Sequence, residues 1–162
     1  MATIYEARCS RGDFQQEVIA FPVCGYRLEE APDVHMWVQS AWCRYCQKVV
    51  HAEHLSSPGE AEKMIEGSTD RRTRRDAERY CKMLASRQAP PRCLLCGETD
   101  IIPASGKGSE RIIPHPACGG SITFHHAGRA RISSETHLYS SEGEHITIVT
   151  GILMPGRGYG RK

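Results

Sequence analysis

Cys93-Leu94-Leu95-Cys96-Gly97 and His115-Pro116-Ala117-Cys118-Gly119 form two ligand pairs, each with two residues between its members, across eighteen intervening residues. Zn²⁺ takes four soft or borderline ligands in a tetrahedron, and each such turn can supply one edge of it. Gly97 suits the tight turn, because the chain often needs a positive φ just after the second ligand. Cys93, Cys96, His115 and Cys118 therefore read as a structural zinc site of three thiolates and one imidazole.

Moving outward, residues 1–56 hold four more cysteines, Cys9, Cys24, Cys43 and Cys46. A shift of 72 positions lays Cys24-Gly25 on Cys96-Gly97, Cys43 on His115 and Cys46 on Cys118, with the same eighteen-residue spacer. This internal repeat in ligand spacing predicts a second metal-binding unit. The shift sets Phe21 where the other copy has Cys93, so the fourth ligand must come from elsewhere. Cys9 is the natural substitute, since thiolates dominate structural sites, and His35, His51 and His54 are the alternatives. Cys81 falls within a helical pattern and reads as a buried thiol.

Between the ligand turns, Val34–Gln39 alternates as a strand does, and β-branched residues come after Cys46 in Lys48–Glu53. Thr99–Ile102, Glu110–Ile113 and Ser121–His125 predict a short antiparallel meander. The segment 57–88 differs. Ser56-Ser57-Pro58-Gly59-Glu60 is a helix start, apolar residues then recur at helical spacing, and Gly67–Asp70 breaks the run. Residues 129–150 predict another hairpin, with a turn at Glu142-Gly143.

Composition narrows the class. With 162 residues, 40% hydrophobic and only 7% aromatic, the chain is thin for one large core, a shortage that small metal-stapled modules relieve. No apolar run nears the roughly 20 residues of a membrane span, so no membrane role is expected. The first residues lack the basic and apolar stretches of a secretory signal, which makes a cytoplasmic location the expectation and metal ligation the expected fate of the cysteines. Four thiolates with Zn²⁺ contribute −2, and three thiolates with a neutral histidine contribute −1. The formal +2 then becomes −1, and net charge does not argue for nucleic acid.

At its paired turns the chain resembles the zinc-ribbon family, through Cys93, Cys96, His115 and Cys118 and, less completely, Cys9, Cys24, Cys43 and Cys46. The resemblance implies bound zinc and β-hairpin geometry. It leaves the role open, because zinc ribbons serve in transcription, translation, enzyme assembly and protein contacts. A second resemblance competes. Met36–Cys46 looks like the strand and active-site turn of thioredoxins and glutaredoxins, which implies a thiol-disulfide oxidoreductase with Cys43 as nucleophile and Cys46 as resolving thiol. Against it, no βαβ pattern precedes the motif, and the residues after Cys46 read as strand before they read as helix.

The expectation is a small metal-stabilised α+β chain with two Zn²⁺. A zinc-ribbon-like module spans 1–56, a charged helical linker 57–90, a second module with a C-terminal hairpin 91–150, and a flexible tail 151–162. No open three-ligand site with a general base is evident, so the function expected is that of a non-catalytic zinc-binding adaptor. Its partner is a protein, or, through the basic run Arg71, Arg72, Arg74 and Arg75, weakly held nucleic acid. A protein is favoured, because no aromatic residues interleave with that run as they do in stacking platforms.

Overall fold

The computed structural model describes residues 2–19, 23–29, 31–67, 70–106, 110–130 and 135–150. Residues 131–134 of the expected 129–150 hairpin and the tail at 151–162 lie outside them. The described residues are mostly β with two helices, and the chain forms two compact units, each assembled from three separated segments. Residues 1–21, 38–53 and 91–133 make the first, and 22–37, 54–90 and 134–162 the second. The expected modules 1–56 and 91–150 thus each contribute to both units. The reason is long-range pairing: β1 (Ala2–Cys9) aligns antiparallel with β9 (Ser121–Ala130) over almost its whole length.

In the first unit one sheet has the order β2-β1-β9-β8, with β2 at Gln15–Ile19 and β8 at Ile112–Pro114. A second has the order β6-β5-β7, with β5 at Val38–Cys43, β6 at Lys48–Glu53 and β7 at Ile101–Pro103. Side chains alternate across a strand, so this second sheet has two distinct faces. Trp42 and Val49 point into a core with Ala7, Val18, Ile113, Ile122 and Phe124, while Ala41, Cys43, Val50 and Ala52 gather on the other face around Cys93. The two sheets are tied by the Gln16 amide, which donates to Val49 O at 2.9 Å and accepts from Val49 N at 3.0 Å, as a strand backbone would. Arg111 adds a second tie, donating to Ser40 Oγ at 2.9 Å and stacking over Phe124.

The second unit carries a sheet of order β11-β10-β3-β4, built from His145–Thr150, Glu135–Tyr139, Val23–Leu28 and Ala31–His35. Its helices are α1 (Pro58–Glu66) and α2 (Arg71–Ser86), separated where the sequence breaks at Gly67–Asp70. Ser57 and Glu60 form a reciprocal capping box on α1, and the Asp70 carboxylate accepts from the N–H groups of Arg72 and Thr73 on α2. Ala77, Tyr80 and Met83 bury one face of α2, with Tyr80 stacked on Tyr26 of β3. Among the described residues, no helix is long and apolar enough to cross a membrane.

Candidate metal centres

Two hairpin turns and one short knuckle share a backbone pattern. In each, the residue after the second ligand donates its N–H back to the first ligand's carbonyl: Gln47 to Cys43 at 2.9 Å, Gly97 to Cys93 at 2.9 Å and Gly119 to His115 at 2.8 Å. All three donors sit at positive φ, +53°, +80° and +69°. Glycine adopts that region freely; Gln47 does not, and it alone bears a strain of about 1–2 kcal/mol. Cys9 opens a similar turn, with Gly12 at φ +77° donating to Cys9 O at 3.0 Å. These loops turn four ligand-bearing stretches into rigid corners.

The corners pair differently from the expectation. Cys43, Cys46, Cys93 and Cys96 form one group, and Cys9, Asp13, His115 and Cys118 the other, the ligating atoms of each lying within 4.8 Å of one another. The 93–96 turn therefore meets the 43–46 turn, and the grouping of Cys93 and Cys96 with His115 and Cys118 does not occur. The physical reason is where the chain goes after each turn. Residues 92–94 lie along β6, with Glu53 N donating to Arg92 O, Leu94 N donating to His51 O and Cys93 bridged to Ala52. His115 and Cys118 are carried away on the β8–β9 hairpin to the end of β1.

Cys24 belongs to neither group. It is a fully buried residue of β3, in the second unit, and burial pushes its thiol up to about 12. The 72-residue shift holds in part: Cys43–Cys46 and His115–Cys118 both occupy hairpin turns, while Cys24-Gly25 lies within a strand and Cys96-Gly97 closes a turn. His35, His51 and His54, the alternative fourth ligands, join no group among the described residues either. Cys81 is half-buried on α2.

The first group is a closed set of four sulfurs, with Cys43 Sγ and Cys96 Sγ 3.6 Å apart. A tetrahedron with metal–ligand arms of about 2.0–2.3 Å has edges of roughly 3.3–3.8 Å, so the spacing fits a bound zinc. Electrostatics agree. Burial raises the Cys93 thiol to about 11, and burial, then the neighbouring thiols, raises Cys46. At Cys96 burial also acts upward, but the backbone N–H of Glu98 and the surrounding thiols outweigh it and the net shift is downward. Without a cation the cluster favours thiolate at Cys96 and resists it at Cys93 and Cys46, a conflict that a divalent ion removes.

The second group mixes donors. Cys118 Sγ stands 3.4 Å from Cys9 Sγ, 3.1 Å from His115 Nδ1 and 3.3 Å from Asp13 Oδ1, and the last two atoms are 3.4 Å apart. These edges also suit a tetrahedral ion. The imidazole is walled in by Trp42 and Phe14, with ring centroids 4.7 and 5.4 Å away. Ser10 and Ser121 stitch the two hairpin ends together, since Ser10 N donates to Ser121 O at 2.9 Å and Ser121 N to Ser10 Oγ at 3.1 Å. Burial, then the Asp13 carboxylate, raises the Cys118 thiol to about 11. Hydrogen bonds from Cys118 and then Cys9 hold Asp13 below the usual carboxylate range.

Asp13 escaped the sequence reading. Its signal was the alternation on both sides of the polar turn Ser10–Asp13, which marks a β1–β2 hairpin with Cys9 at its end. The thioredoxin-like reading meets a different local structure: Cys46 leads through Gln47 into β6 where a helix would be needed. Arg71, Arg72, Arg74 and Arg75 lie on α2, and Arg74 pairs with Glu78 at 3.3 Å. No protein-family model, curated protein or solved structure matches the chain.

Proposed function

We infer that the chain is a non-catalytic zinc-binding protein with two structural ions, and that it works by presenting metal-stiffened hairpins to a protein partner. The observation that carries this reading is the closed set of four sulfurs at Cys43, Cys46, Cys93 and Cys96. Four protein ligands leave no position for a substrate, which is how a structural site differs from a catalytic one. The energetic scale supports the same role. A structural zinc contributes about 10 kcal/mol to folding in small peptides, against about 1.5–3 kcal/mol for each large buried side chain of the thin core.

The surface supports a protein partner. Tyr45 and Leu95 occupy the same place in their knuckles, next to the second ligand, and are 73% and 61% exposed. Large apolar groups on rigid, metal-anchored loops suit a protein contact, where aromatic anchors are enriched. Nucleic acid is disfavoured. On α2 the four arginines spread over roughly 160° of the helix, so they do not converge on one phosphate path. With both ions bound, the four-thiolate site contributes −2 and the mixed site nothing, which brings the formal +2 to zero. The cytoplasm, which keeps thiols reduced, is the compartment that suits these sites.

Elemental analysis of protein purified without added metal tests the reading: two zinc ions per chain are expected, and fewer than one overturns it. A pull-down comparing wild type with Tyr45→Ala/Leu95→Ala addresses the partner. Loss of a specific protein in the variant supports the surface. A partner held equally by both, or submicromolar nucleic-acid binding at about 150 mM salt that vanishes without the four arginines, contradicts it.

A further inference from the structure

We propose that the mixed site is a three-point cage with an exchangeable fourth arm: Asp13 gives way to a small external anion, while Cys9, His115 and Cys118 keep the ion. The proposal rests on the reading that this group binds metal.

Three observations carry it. The first is burial. Cys9 and His115 are 6% and 4% exposed, whereas the Asp13 side chain is 40% exposed. The second is support. Ligands that hold a metal firmly are themselves held by neighbouring groups. Cys118 accepts from Gly120 N at 3.3 Å, His115 lies against Trp42 and Phe14, and Cys9 ends a strand whose neighbour is locked to Ser121. Among the described residues, by contrast, the Asp13 carboxylate meets the other members of its own group and its own backbone. The third is the donor set. Two thiolates and one imidazole are a combination that holds zinc with its fourth position open to an outside ligand.

The incoming ligand should be small and anionic. A monoanion replacing the carboxylate leaves the charge of the site unchanged, and Arg11, in the same turn, runs its side-chain stem close to Gly120 beside the Cys9 sulfur. The four-thiolate site offers no equivalent, because each of its ligands is a cysteine.

Cobalt-loaded full-length protein tests this, with azide as the probe and visible absorption and metal content as readouts. Wild type and Asp13→Ala should each hold two cobalt ions per chain. Asp13→Ala should shift its spectrum at azide concentrations at least tenfold lower than wild type requires, and Asp13→Cys should hold two ions and not respond. Asp13→Ala falling to one ion would show that the carboxylate is a required ligand and overturn the proposal. So would an Asp13→Ala protein with two ions that ignores azide. Wild type binding fewer than two ions would instead remove the underlying metal assignment, and the proposal with it.

Discussion

The backbone N–H of Arg92 donates to the buried carboxylate of Glu53 at 2.8 Å. This bond holds the chain against β6 one residue before Cys93, and the Arg92 side chain continues the brace by donating to Gly97 O at 3.3 Å. The position of the 93–96 knuckle, and with it half of the four-sulfur site, depends on a carboxylate that is no metal ligand. Glu53→Ala should therefore lower stability by about 1–3 kcal/mol, the cost of stripping a partner from a buried polar group. It should also release one zinc to a competing chelator sooner than wild type does, leaving the second unaffected. Denaturant melts and chelator titration check both effects, and wild-type behaviour in both would contradict the brace.

Gly119 and Gly120 are neighbours with different reasons to be glycine. Gly119 has φ +69° and open space where a Cβ would go, so Gly119→Ala should cost only the backbone strain, about 1–2 kcal/mol. At Gly120 a Cβ would meet Cys9 Sγ at 2.8 Å and Ser10 Oγ at 3.0 Å. Gly120→Ala must push a ligand sulfur aside, so it should weaken metal retention at the mixed site by at least tenfold, where Gly119→Ala leaves retention near wild type. Equal retention in the two variants would refute the contrast.

Cys24 gives a pH signature separate from the metal. Burial raises its thiol from 9.0 to about 12, so the folded chain binds this proton more tightly than the unfolded chain does. A raised folded value contributes stability that is complete below pH 9 and is lost as pH climbs towards 12. Three pH units correspond to at most about 4 kcal/mol, and Cys24→Ala should remove that part of the alkaline slope. Stability curves between about pH 8 and pH 12 measure it. Cys24 should also resist alkylation after chelation while the fold survives, and rapid labelling would place it outside the core.

Local features were legible. Gly97 announced its turn, the stretch 56–60 the start of α1, and Glu142-Gly143 the β10–β11 hairpin, because each rests on chemistry within a few residues. The metal pairing was not legible, since Cys96 has an eighteen-residue spacer to His115 but finds Cys43 across β6 and β5. Spacing constrains short loops, whereas strand pairing decides which loops meet. Asp13 was hidden for a related reason: a carboxylate in a polar turn looks like any other until β1 and β9 bring it to Cys118.

The pairing itself is tested most directly by the zinc content of Cys46→Ala, Cys96→Ala and the double variant. If Cys46 and Cys96 serve one ion, all three proteins should hold one zinc per chain, and the double variant should lose no more than either single. If each single variant keeps one zinc and the double keeps none, the two cysteines serve different ions, and the four-sulfur site at Cys43, Cys46, Cys93 and Cys96 is contradicted.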